Sequence, residues 1–299
     1  MHRNIGPGTR TFAIIRRVVV GAWNDGFIHA GNLAYMAILS LFPFFIVAAG
    51  IFSLIGDPQD RAVAINAIIA AVPRVVGEVV EPVARDVIAA RTGWLLWIGM
   101  LVGFWTVSSL IETIRDILHR AYHTTPSPGL LRHRLLSIGV IIGSIILLMM
   151  SLSAQFYITA AQEAIAAWFP NAAELAFALA LSRIVPALTL LFSLWLLFLT
   201  LTPSAFRGKQ YPKWPGALLV TVWWIVVSVL LPPALRTLFA YDLTYGSLAG
   251  VMIALFFFWL VGLGLVVGAE LNAALAITLS APDEDDIAAG GGDAAAVQG

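Results

Sequence analysis

The sequence predicts an all-α, polytopic membrane protein: six transmembrane helices, with short amphipathic helices at the interface and on the outer side. Three observations carry that reading. Of 299 residues, 60% are hydrophobic and only 11% charged, whereas a soluble domain carries about 25% charged residues. Mean hydropathy is +0.90. Six stretches of 20 to 31 residues contain no Asp, Glu, Lys or Arg, and about 20 apolar helical residues cross the hydrocarbon core. These stretches are apolar on every face, whereas barrel strands would be about 10 residues long with alternating polarity.

Taken in order, residues 1–25 form a cytoplasmic N-terminal segment in which Phe12 to Val20, with Arg16 and Arg17 among apolar residues, reads as an interfacial helix. A six-span membrane domain follows over residues 26–279. Its spans are 26–56, 92–111, 135–162, 184–206, 214–235 and 243–269. The first run has no small-residue cleavage site after a short apolar core, so it reads as a span and not a signal peptide. Pro43 falls in its middle, where it removes one helical hydrogen bond and predicts a kink; Ser40 is placed to help satisfy the break. Between spans one and two, residues 57–91 form an external insertion with apolar residues at helical spacing from Val63 to Val76, divided by Pro73 and Pro82. Either short amphipathic helices on the outer interface or a packed lid fits that pattern. Residues 280–299, acidic at Asp283, Glu284, Asp285 and Asp286 and then rich in Gly and Ala, are expected to be disordered.

Lys and Arg set the orientation. Eleven of them, including Arg16, Arg115, Arg120, Arg207, Lys209 and Lys213, fall on one side, and five, Arg61, Arg74, Arg85, Arg91 and Arg236, on the other. The richer side is cytoplasmic. An even number of spans puts both termini there.

Function is sought among the polar residues of the spans, since each is costly unless paired or hydrated. At the cytoplasmic ends of three helices stand Asn32 and Tyr35 of span one, Glu112 and Arg115 of span two, and Glu270 and Asn272 of span six. The i,i+3 spacing suits Arg115 to neutralise Glu112, and an alternative partner for Arg115 is Glu270. Near the outer end of span four lies Arg183, with Tyr245 among its partners by level. These eight residues are the candidate substrate or ion path; the competing reading makes them interfacial anchors that tie helix ends together. The spacings Gly99/Gly103, Gly139/Gly143, Gly246/Gly250 and Gly264/Gly268 let helix backbones approach closely, within one bundle or between copies.

Other chemistry is disfavoured. Seventeen Lys and Arg against seventeen Asp and Glu give zero net charge, without the basic surplus a nucleic-acid-binding chain needs. Cysteine is absent. His119 and His123 have i,i+4 spacing, but the residues between them lack the Glu of an H-E-x-x-H zinc site. No P-loop or G-x-S-x-G is present, so an ATP-driven pump is excluded for this chain alone. No cofactor and no metal are expected.

The run Gly31-Asn32-Leu33-Ala34-Tyr35 through Ser40-Leu41-Phe42-Pro43 and the segment from Tyr245-Gly246-Ser247 through Gly268-Ala269-Glu270-Leu271-Asn272-Ala273 resemble the YihY/BrkB family of bacterial inner-membrane proteins. Lys213-Trp214-Pro215-Gly216-Ala217, Arg120-Ala121-Tyr122 and Leu131-Arg132-His133-Arg134-Leu135 extend the resemblance to most of residues 25–275. The chain departs from the pattern at His119, where Asn is more usual, and at Asn32, where a small residue is usual. The resemblance implies six spans, cytoplasmic termini, an inner-membrane location and a role in envelope maintenance. It also carries a historical ribonuclease BN label, but phosphodiester hydrolysis needs metal-binding groups beside a basic RNA track. The expectation is therefore a non-enzymatic secondary transporter or permease for lipids or small anions, with membrane lipids as partners. The alternatives are a non-transporting scaffold for envelope assembly and, more weakly, a membrane-associated ribonuclease.

Overall fold

Without a proline between Arg10 and Ser40, nothing in the N-terminal sequence forces the chain out of helical geometry. In a computed structural model it is helical throughout that stretch: α1 (Arg10–Gly21), a single π-helical turn (Ala22–Gly26) and α2 (Phe27–Ser40). The helical run is continuous, and the π turn falls at the expected boundary between the interfacial segment and the first span, Gly21 keeping ordinary helical angles. The structure describes residues 10–40, 81–82, 94–125, 139, 143, 174–238 and 249–280. Pro43, Tyr245, span three apart from its two glycines, nearly all of the 57–91 insertion and the 280–299 tail apart from Ser280 fall outside that set.

The remaining elements are α3 (Trp94–Ala121), α4 (Glu174–Leu201), a 3₁₀ turn (Ser204–Phe206), α5 (Trp214–Leu238) and α6 (Ala249–Ser280). Among the described residues every regular element is helical. Two segments, Trp214–Leu235 and Ala249–Leu279, are long and apolar enough to cross a membrane. Helix boundaries depart from the uncharged stretches for local reasons. α3 continues through Glu112, Arg115 and Asp116 because i,i+3 and i,i+4 ion pairs stabilise that last part. α4 ends at Leu201, five residues short of the uncharged stretch, since Pro203 cannot continue a helix.

The end of α3 is a Schellman motif. Thr124 N–H donates to His119 O at 2.8 Å and His123 N–H to Arg120 O at 2.9 Å. His123 takes the left-handed position, φ 51°, that glycine usually fills. His119 Nδ1 lies 2.8 Å from Thr124 Oγ1, so this histidine closes the helix end.

α6 is the central helix: α5, α1, the π turn and α3 all pack against it, while α4 packs against α5 and α3. The α5–α6 contact is built on glycines. A Cβ on Gly264 would collide with the Trp223 indole, and one on Gly268 with Val220, so backbone and ring share space that any side chain would deny. Trp223 Nε1 then donates to Leu260 O at 2.8 Å. Of the four close-approach spacings, Gly264/Gly268 thus serves packing within one chain. The core runs from here into α3, joining Phe198, Val220, Val266, Ala269 and Ala273 to Ile111, Ile114 and Leu118.

Candidate functional site

Ile111 and Ile114 of α3 share one core cluster with Val266, Ala269 and Ala273 of α6, and the predicted polar residues of the two helices flank these positions in sequence. On α3, Arg115 Nη1 lies 2.7 Å from Glu112 Oε1; the arginine side chain is 9% exposed and the glutamate 40%. The cation is therefore buried and its partner reaches outward. The charge of Arg115 thus meets a neighbour on its own helix. Next to them Arg120 and Asp116 form a looser, exposed pair at 3.8 Å.

Glu270 packs across α1. The position of a Cβ on Gly21 would lie 2.5 Å from the Glu270 carboxyl carbon, so only a glycine leaves room for this carboxylate at the entrance to the π turn. Asn272, two residues on, is fully buried. Its Oδ1 accepts from Gly216 N at 2.8 Å and its Nδ2 donates to Lys213 O at 3.0 Å. One amide thus satisfies backbone groups at the start of α5, a capping task usually done by a local side chain. No residue near Lys213 in sequence supplies that cap.

Of the other predicted path residues, two are fully described. Asn32 and Tyr35 are exposed on α2, Tyr35 by 56%. Arg183 belongs to α4, with its side chain outside the described set, and Tyr245 and Pro43 lie outside it altogether. Ser40 donates to its own preceding turn, Met36 O at 2.6 Å.

Three residues enter the site that sequence reasoning did not single out. Lys213, counted as a solvated flanking cation, is only 4% exposed and donates to Gly208 O at 2.9 Å and Tyr211 O at 2.7 Å. Burial lowers its pKa, helped by the nearby Arg207 charge and opposed by Tyr211. Arg207 donates to Thr200 O and Thr202 O at the carboxyl end of α4, where carbonyls are exposed and the helix dipole favours a cation. Tyr122 is buried against Phe206, ring centroids 5.1 Å apart. Burial pushes its phenol up to about 12, partly offset by Thr202. Thr202 gives its own proton to Phe198 O, and no well-formed hydrogen bond reaches Tyr122 Oη, so the effect of Thr202 is small beside that of burial. The short interval from Pro203 to Pro212 was the available signal, because a loop so brief must fold back on the helices it joins.

Two apolar helices of membrane-crossing length, packed through glycine-mediated contacts, fit an integral membrane protein of the helical class. The family model described as Virulence factor BrkB matches residues 22–290. The chain belongs to this family, as its own motifs predicted. It is similar to the ribonuclease-like protein YfkH of Bacillus subtilis (strain 168), with 27% identity over 264 residues, 88% of this chain and 94% of that protein. No solved structure matches it.

Proposed function

We propose that the protein is a bacterial inner-membrane permease, a secondary transporter for lipids or small anions that serves envelope maintenance. The observation that carries this reading is the Arg115–Glu112 pair. The pair supports the end of α3 as a helical i,i+3 contact, but burying its cation costs more than such a contact ordinarily returns. Buried ionisable residues of membrane helices mark substrate and ion pathways, and this one stands just past the apolar stretch of α3. Here a buried guanidinium is offset by a carboxylate that remains 40% exposed. An anion arriving at Arg115 would displace Glu112.

The test is flux through purified protein in liposomes, across a panel of small anions and anionic lipids. Transport by wild type, lost in Arg115→Gln while the fold is retained, supports the reading. No transport of any member moves the reading to the scaffold. That second reading has its own observation: Asn272 and the glycines of α6 are spent on holding helices together. The name of the Bacillus relative keeps a ribonuclease as a third reading, checked by incubating the purified protein with RNA and divalent cations.

A further inference from the structure

An open groove of about 400 Å³ runs along α5, lined by apolar side chains from Trp214 to Val226. Trp214, Leu218, Val222 and Val226 are 60%, 42%, 52% and 43% exposed, so the groove opens away from the α5–α6 contact. At 1.5 Å per residue it extends roughly 18 Å, a little over half of the ~30 Å hydrocarbon core. That is the depth one acyl chain spans from headgroup to midplane. Trp214 stands at its mouth, the residue type that prefers the headgroup level.

The mouth is also cationic. Arg207 and Lys209 are exposed on either side of Gly208, and Gly208 O is held 2.9 Å from Nζ of Lys213, the residue before Trp214. The loop is thereby fixed beside the start of the groove. Among the described residues no carboxylate pairs with Arg207, Lys209 or Lys213. Arg207 turns one nitrogen to the end of α4, which leaves the rest of its donor fork free. Two exposed cations one residue apart, above a leaflet-deep apolar groove, complement a phosphate joined to a hydrocarbon chain.

We propose that the groove and its loop hold one anionic phospholipid, with the phosphate between Arg207 and Lys209 and one acyl chain along Trp214, Leu218, Val222 and Val226. Lys213 acts only by positioning the loop. The site rests on α5 being a membrane span and holds whether or not the protein transports anything.

Native mass spectrometry of the delipidated full-length protein, titrated with phosphatidylglycerol or phosphatidylcholine of the same acyl chains, tests it. Wild type should retain the anionic lipid in preference. Each cation near a phosphate surface contributes roughly fivefold, so Lys209→Gln should weaken phosphatidylglycerol about fivefold, and Arg207→Gln/Lys209→Gln should abolish the preference. Val222→Trp, which fills the groove from its open side, should weaken both lipids. Lys209 makes no hydrogen bond in the described structure, so its replacement isolates charge from folding. Equal retention of the two lipids by wild type, an unchanged preference in Lys209→Gln, or displacement of phosphatidylglycerol by millimolar inorganic phosphate would each overturn the proposal. Because retention is read without flux, a negative result here is distinct from a failure of the permease reading.

Discussion

Replacing Asn272 by alanine removes the acceptor of Gly216 N–H and the donor to Lys213 O together. Gly216 N–H then lies buried without its acceptor, and Lys213 O keeps only the long 3.4 Å bond from Ala217 N–H, which costs about 1–3 kcal/mol. A fall in melting temperature of the detergent-solubilised protein checks this; a melt equal to wild type would show that water replaces the amide. His123 offers a change of opposite sign. Its left-handed backbone carries a side-chain penalty that glycine avoids, so His123→Gly should stabilise by roughly 1 kcal/mol. Tyr122 adds a pH dependence. Its phenol titrates near 10 unfolded and at about 12 folded, so the folded state holds its proton longer. The stabilisation is complete below pH 10 and is lost as pH rises from 10 to about 12. That interval is worth about 3 kcal/mol. Tyr122→Phe should lack this extra alkaline loss and, having no unpartnered hydroxyl, should melt no lower than wild type at neutral pH; an identical alkaline profile would assign the loss to other groups.

Among the helices, α5 and α6 are joined by absence of side chain. Gly264→Ala pushes a methyl into Trp223, an overpacking typically worth 1–3 kcal/mol. The double variant Gly264→Ala/Trp223→Leu should recover part of that loss, because the smaller side chain vacates the space. Thermal melts of the four combinations give the coupling directly, and strict additivity would mean that the two do not meet. The glycine spacing was legible from sequence, since Gly264 and Gly268 fall on one helix face. Its receiving partner was not, because nothing in the sequence says which helix supplies Trp223. The same limit applies to Asn272. Its level at the end of span six could be read, but its bonds reach backbone more than 50 residues away, and backbone groups leave no signature in side-chain patterns.

At the scale of the whole chain, composition points to a membrane protein, and the uncharged stretch 214–235 coincides with a helix long and apolar enough to cross a membrane. How far α3 runs past its span was less legible: the sequence puts Glu112 and Arg115 at the end of span two, and α3 continues beyond them as paired turns to Ala121. Lys213 shows the same difficulty in reverse: a lysine beside a span is ordinarily solvated, and only the fold of the preceding loop reveals that this one is buried. The Lys and Arg bias predicts cytoplasmic termini. In a chain without cysteine, Cys introduced at Lys209 should react with an impermeant thiol reagent only from inside, and Cys at Asp60 only from outside. The reverse pattern would invert the topology and the level of every polar residue with it.

The permease reading meets its most direct test in liposomes containing purified protein, where efflux of small anions and movement of anionic lipid are followed for wild type, Arg115→Gln and Asn272→Ala. The prediction is measurable wild-type flux, reduced at least about tenfold in Arg115→Gln at a melting temperature within a few degrees of wild type, as expected for a residue whose transition-state contribution exceeds about 1.4 kcal/mol. Asn272→Ala should instead lose stability and flux together. Wild-type protein that is folded and correctly inserted yet moves nothing in the panel, or Arg115→Gln that transports as fast as wild type, would contradict it.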